Sequence, residues 1–295
     1  MNEMHESNRT KWNAAAPRWK ARREAYGWGS SHWRRHHSLY PEAIEHINHH
    51  LGALEGKNAI VLGSGDNYAA FALAEMGANV TSVDISERQL EIASERAKVL
   101  GLEIDFHQGD LSNLSTLPEG GYHFACSVAI VAIWISDLWK YYAEASRLLA
   151  PGGLLQIGEA HPISHLLHNV ERFTGENAMT PEEGGDNPVF DHHYFDHGPH
   201  RYSYDPTYGA MLRFIDPKDG SASDHVQYQS HWTVSDYLMA MIDSGFEILH
   251  VRETTSRNLE RWRENRFHAL PRGLHIIGQK KAPERDPSLI EGSNS

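Results

Sequence analysis

The chain predicts a doubly wound α/β fold: a mainly parallel sheet with helices on both faces, an aromatic N-terminal segment and a long irregular insert. Three observations carry this. Short apolar runs alternate with helix-length stretches between residues 58 and 160, the pattern of strand–helix–strand crossovers that builds a parallel sheet. Glycine-rich or acidic turns end three successive predicted strands, and ligands in such sheets sit beyond the carboxyl ends of the strands. The chain has 295 residues, which suits one large domain with added segments better than two full domains.

Each element follows from its residues. Ala59 to Leu62 is an apolar run stopped by Gly63 and reads as a buried strand. Tyr68 to Met76 is Ala-rich and helical, closed by Gly77. Val80 to Val83 is a second strand. Glu87 to Leu100 has helical spacing through Leu90, Ile92, Ala93 and Ala97, and Gly101 closes it. Ile104 to His107 is a third strand and Phe124 to Val128 a fourth. Leu138 to Leu149 is a helix ended by Pro151, Gly152 and Gly153, and Leu154 to Gly158 is a fifth strand. Residues 161–231 are irregular and rich in Gly, Pro, Asp, His and aromatics. Residues 232–281 return to helix and strand patterns, and 282–295 read as a disordered tail.

Composition limits the function. Lys and Arg number 27 against 39 Asp and Glu, a net charge of −12. A general nucleic-acid binder needs a basic surface to release counterions. The leader is locally basic, with Arg9, Lys11, Arg18, Lys20, Arg22, Arg23, Arg34 and Arg35 around Trp28 and Trp33. No nucleic-acid module accompanies it, and a solvated face or anion-steering rim accounts for it. Cys126 is the single cysteine, which excludes an intrachain disulfide and a cysteine-based zinc site and suits a reducing compartment. Met1 to Lys20 lacks an apolar signal-peptide core, and the longest mainly apolar run, Phe124 to Ile135, is too short to span a bilayer. We expect a cytoplasmic protein without membrane partners; oligomeric state is not legible.

Gly63-Ser64-Gly65-Asp66-Asn67 follows the first strand and allows close approach of a ligand to the backbone. Asp84 ends the second strand, 19 residues after Gly65, where a carboxylate can accept both hydroxyls of a ribose. Asp110 follows Gly109 after the third strand, placed to accept from an adenine amino group. Each Asp alone also reads as a helix cap or turn residue; three such loops at successive strand ends are harder to explain that way.

These motifs resemble the class I S-adenosylmethionine-dependent methyltransferases. Ile60-Val61-Leu62-Gly63-Ser64-Gly65 is similar to their first motif, Val83-Asp84-Ile85-Ser86 to their acidic ribose position, Gly109-Asp110-Leu111 to their adenine loop, and Leu148-Leu149-Ala150-Pro151-Gly152-Gly153 to their turn into the fifth strand. The match covers Ala59 to Glu159, resumes at Trp232 to Glu253 and, more loosely, at Leu274 to Lys280. The resemblance implies a Rossmann-like methyltransferase sheet and methyl transfer from S-adenosylmethionine to a small-molecule acceptor. It implies cofactor contacts from Gly63, Ser64, Gly65, Asp84, Ile85, Asp110, Leu111 and Val128. Similar Trp-containing leaders fold over the cofactor, so residues 1–57 are expected to form a helical lid carrying Trp12 and Trp19; aromatic packing of a helix is the competing reading. Residues 58–160 would be the cofactor-binding core, 161–231 an inserted substrate cap and 232–281 the rest of the core.

The chain departs from the family pattern at two positions. Val61 stands near where an acid usually contacts the methionyl amino group, and Asn67 where a third glycine is frequent. A nicotinamide-dependent oxidoreductase is the nearest alternative, but its fingerprint needs a small residue where Tyr68 stands. A non-catalytic adenosyl-binding protein is a second.

Glu159, His161 and His165 emerge at the end of the fifth strand, where an acid–base group would be useful. Asp191-His192-His193-Tyr194-Phe195-Asp196-His197 has metal-ligand residue types, and an extended strand would put Asp191, His193, Phe195 and His197 on one face. Short His-rich runs also lie on surfaces, and no metal is expected. Tyr202, Tyr204 and Tyr208 would line a pocket or pack the insert.

Overall fold

The computed structural model describes residues 1–25, 39–65, 68–128, 130–166, 192–202, 226–255 and 270–282. Asp66, Asn67, Asp191, Tyr204, Tyr208, Trp28, Trp33 and nearly all of the predicted tail lie outside the described residues, as do the side chains of His165 and Tyr202. No helix among the described residues is long and apolar enough to cross a membrane.

Helix α1 spans Glu3–Ala25 and α2 Pro41–His50. The core then alternates: β1 (Asn58–Leu62), α3 (Ala69–Glu75), β2 (Asn79–Asp84), α4 (Glu87–Leu100), β3 (Ile104–Gln108), β4 (Tyr122–Ser127), α5 (Leu138–Leu148) and β5 (Leu149–Ala160). Beyond it come a short ribbon of β6 (His200–Tyr202) and β7 (Gln227–Gln229), then α6 (Val234–Asp243), β8 (Phe246–Thr254) and β9 (Gly273–Lys280). Helix ends follow local chemistry. The Ser86 hydroxyl accepts from the Gln89 amide at the start of α4, and Gly101 closes it at φ +68°. Thr233 and Asp236 form a reciprocal capping box on α6.

Seven strands form one sheet in the order β3-β2-β1-β4-β5-β9-β8. The five predicted core strands pair in parallel. β9 runs antiparallel between β5 and β8, a direction that local hydrophobic pattern does not encode. β5 is longer than expected: it starts at Leu149 and carries Ala150-Pro151-Gly152-Gly153 as an irregularity, where pairing with β4 slips between Tyr122 and Phe124.

Alternation along the strands builds two apolar layers. Ile60, Leu62, Ala125, Leu155 and Ile157 face α5 and α6 with Tyr141, Tyr142 and Tyr237. Ala59, Val61, Phe124, Cys126 and Leu154 face the other side with Phe71, Leu73 and Ile47. Cys126 is fully buried, and burial pushes its thiol far above its ordinary value, so it is an inert core residue.

Residues 192–199 are bends and turns instead of a strand. His193 is exposed and its Nδ1 accepts from the Phe195 amide, while His197 Nε2 lies 3.0 Å from Asp236 Oδ2. The shared face expected for His193 and His197 therefore does not form, because the chain turns at Asp196 and Gly198; Asp191 lies outside the described residues.

Candidate functional site

The strand order reverses between β1 and β4: the chain runs outward from β1 through β2 to β3, and from β4 to β5 the other way. A crevice opens at the carboxyl ends of strands at such a switch point. A cavity of about 170 Å³ lies there. A larger recess of about 640 Å³, lined by Asn58, Asn79, Ile104 and Tyr122, opens at the opposite, amino ends; its position sets it apart from the ligand side of the sheet.

The floor comes from the turn after β1. Gly63 has φ +67°, and a Cβ there would stand 2.6 Å from Val131 Cγ2, so a side chain at this position would be strained and would force Val131 to shift. Ser64 is buried, its amide donating to Val83 O and its hydroxyl bonded to Ser82 Oγ at 2.6 Å. The Gly65 amide donates to Asp84 Oδ2 at 2.7 Å, and the Ser86 amide to Asp84 Oδ1 at 2.8 Å. Both carboxylate oxygens are thereby oriented.

Asp110 forms the next edge. Ser136 N–H donates to His5 Nε2, so the His5 proton sits on Nδ1 and is donated to Asp110 Oδ2 at 2.8 Å. The Ser112 amide donates to Asp110 Oδ1. Burial opposes ionisation of Asp110, but the His5 and Ser112 donors outweigh it and hold the carboxyl below its ordinary range.

α1 closes the cavity from above with His5, Asn8, Trp12, Trp19 and Arg23. Together with fully buried Ala16 these form one stripe at intervals of three or four residues. Trp12 meets Trp134 edge to face at 5.2 Å, and Lys11 Nζ lies 4.9 Å from the Trp134 ring. On its other flank α1 docks along α4. Arg9 grips Glu87 with two N–H bonds, holding that carboxyl down at about 2. Asn13 Oδ1 accepts from Ser86 Oγ, and Lys20 pairs with Glu95. The Asn8 amide bonds the Tyr228 backbone of β7 in both directions, at 2.8 and 2.9 Å.

The remaining wall is the segment after β4. Ile130, a β-branched residue at φ +58°, stands in a strained conformation. The turn beside it is braced from below: the Val131 and Ala132 amides both donate to Glu159 Oε1 at 3.1 Å. Glu159 is buried with Oε2 lacking a hydrogen-bond partner among the described residues. Burial pushes its carboxyl up to about 8 against the effect of those two amides.

Comparison with known proteins places a likeness over the core strands. Residues 60–153 match the family described as "Methyltransferase domain". This stretch is similar to a methyltransferase domain. It is similar to a ubiquinone biosynthesis O-methyltransferase from Bordetella avium, 26% identical over 144 residues, which are 48% of this chain and 56% of that protein. The chain spans about half the length of the curated relatives it matches. The fold is shared with an S-adenosylmethionine-dependent methyltransferase from Mesorhizobium loti (TM-score 0.54, 22% identity, 81% of this chain and 97% of that one). A second, from Listeria monocytogenes, has a TM-score of 0.57, 18% identity, and coverage of 81% and 97%.

Gly63, Ser64, Gly65, Asp84, Ile85, Asp110, Leu111, Trp12 and Trp19 line one cavity. Val128 does not: it packs in the core beside Val61 and Cys126. Glu159 lies beneath the Val131–Ala132 turn and outside the cavity lining. His161 is also elsewhere. Ile163 N–H donates to its Nδ1, which places the proton on Nε2 for a 2.6 Å bond to Glu253 Oε1. Sequence reasoning missed His5, Asn8, Arg23, Gln89, Ile130, Val131, Trp134 and Ile135. The α1 stripe was the available signal for the first three; nothing local marks the others.

Proposed function

We propose that this protein transfers a methyl group from S-adenosylmethionine to a small-molecule acceptor. The convergence of Gly63–Gly65, Asp84 and Asp110 in one cavity beneath the α1 stripe carries the proposal. Asp84 would take the ribose hydroxyls, Asp110 and Leu111 the adenine edge, and the Gly63 turn would admit the ligand against backbone. Val61 is fully buried on the far face of the sheet, so the polar side chains of α1 would serve the methionyl end, with Arg23 suited to its carboxylate. Bound there, S-adenosylmethionine supplies an electrophilic methyl group. The protein's contribution is alignment and exclusion of water, for which Trp12, Trp19 and Trp134 form an apolar cover.

Tyr68 supports this reading over a nicotinamide enzyme. It is buried at the start of α3, packs against Phe71, and has the Arg23 guanidinium 4.8 Å from its ring, which leaves no room for the close glycine contact of a dinucleotide fingerprint. The acidic balance of the chain supports a small molecule over nucleic acid, and the single buried Cys126 supports a reducing cytoplasm. Calorimetry with S-adenosylhomocysteine and NADH on the purified chain tests the assignment: the first should bind and the second should not. Tight NADH binding, or no binding of S-adenosylhomocysteine, would overturn it. Binding without turnover of any methyl acceptor would leave only the non-catalytic reading.

A further inference from the structure

Three imidazoles converge at the end of the β6–β7 ribbon. His200 opens β6 in register with Gln229. His231 lies two residues beyond Gln229, and its amide donates to His197 O at 3.1 Å. His192 arrives from the preceding turn. The His200 and His231 rings stack at 4.1 Å, and the His192 ring lies 4.5 Å from His200 and 5.1 Å from His231. One nitrogen from each ring lies within 4.8 Å of the other two. His231 is buried and the His200 side chain nearly so.

We propose that His192, His200 and His231 bind a divalent transition-metal ion of the zinc class. Imidazole nitrogens suit zinc, copper or nickel, whereas magnesium and calcium take oxygen ligands. His200 Nε2 bonds Asp196 O at 3.0 Å. A carbonyl only accepts, so Nε2 carries the proton, and His200 would ligate through Nδ1, the outer-shell arrangement usual for ligating histidines. The Asp196 carboxylate, 3.9 Å from the same nitrogen, adds negative charge beside the site. Gly198, at φ +86°, lets the turn close on His200: a Cβ there would stand 2.6 Å from the His200 amide and 2.8 Å from its ring. Tetrahedral zinc bonds of ~2.0–2.1 Å require nitrogens about 3.4 Å apart. The cluster therefore reaches that geometry with ring shifts of about 1 Å.

Three protein ligands leave the fourth position to water or a substrate atom, as in catalytic zinc sites. The ion would also stiffen a ribbon of three-residue strands that is marginal alone. That ribbon abuts the candidate cavity wall: Ser230 N–H donates to Ile133 O at 2.7 Å, and Trp232 Nε1–H to Ala132 O at 3.0 Å. The site is independent of the methyl-transfer reading, because it is read by metal binding alone.

The test uses the full chain after chelation and dialysis, titrated with Zn²⁺ against a chromophoric chelator and with Co²⁺ by visible absorption. One equivalent should bind, with the cobalt d–d bands of a low-symmetry nitrogen site. Loss of an outer-shell partner typically weakens metal binding 10–100-fold, so His200→Ala and His231→Ala should each lose roughly 100-fold or more. His192→Gln, at a half-buried turn, preserves the fold and should lose a similar amount. His193→Ala and His49→Ala, outside the cluster, should bind as the parent does. Absence of stoichiometric binding by the parent would overturn the site, as would binding retained in His192→Gln or lost equally in His49→Ala.

Discussion

Replacing Glu159 by Gln removes an ionisable group while keeping an oxygen for the Val131 and Ala132 amides. Burial places the Glu159 carboxyl at about 8 in the folded protein, against an ordinary 4.5. The folded state therefore holds a proton that the unfolded chain releases between those values. For a raised carboxyl the contribution to stability is fully present below about pH 4.5 and is lost as pH rises through about 8. Three and a half units correspond to roughly 5 kcal/mol over the whole window, and about 3 kcal/mol between pH 5.5 and 8.5. Urea unfolding of parent and Glu159→Gln at matched pH isolates this group, since the other titrating residues cancel in the difference. The variant should gain on the parent by about that 3 kcal/mol from pH 5.5 to 8.5 at unchanged m. A difference constant within roughly 0.5 kcal/mol across the range, the size of an ordinary surface effect, would show that Glu159 ionises normally and that the brace is not a buried neutral acid.

Asp84→Ala should weaken S-adenosylhomocysteine binding by calorimetry about tenfold or more, from loss of charge-assisted bonds worth ~1.5–3 kcal/mol; unchanged affinity in a folded variant would remove Asp84 from the site. His5→Ala strips a donor from Asp110 and should speed proteolysis within α1 and weaken the same ligand, and identical cleavage rates would show that α1 is held elsewhere. Gly63→Ala should cost roughly 1–3 kcal/mol in urea unfolding from left-handed backbone and the Val131 contact, with Val131→Ala restoring part of it; no rescue would mean that the backbone alone sets the cost. His161→Ala should keep turnover within a few-fold across pH 6–9 because both ring nitrogens are engaged away from the cavity, and a drop of ~10²-fold, the scale of lost general-base help, would return it to catalysis.

Much of the core was legible because its signals are local. Ala59 to Leu62 is an apolar run cut off by Gly63, Val80 to Val83 is a mainly β-branched stretch cut off by Asp84, and a chain that buries such strands on both faces has few alternatives to a parallel sheet. The strand ends then expose Gly65, Asp84 and Asp110 together. The direction of β9 was not legible, since it depends on which edge of β5 is free when the chain returns. The α1 stripe escaped notice because His5, Asn8 and Arg23 are polar, and helical periodicity is ordinarily sought among apolar residues. Glu159 and His161 were expected to face the acceptor, yet a strand end can point its side chains under the neighbouring turn as readily as into the crevice. His192, His200 and His231 lie up to 39 positions apart and meet only through the ribbon's pairing.

The way α1 is fastened has a kinetic consequence. The space beneath it, about 170 Å³, is below the roughly 300–1,000 Å³ of ordinary small-molecule sites, and its roof is tied to α4, to Asp110 and to β7 at once. A ligand entering or leaving must therefore wait for several ties to open together, a motion of the microsecond-to-millisecond class. Observed association rates would then level off with ligand concentration at the opening rate of the helix, and departure of the spent ligand, instead of the chemical step, would set the pace of turnover.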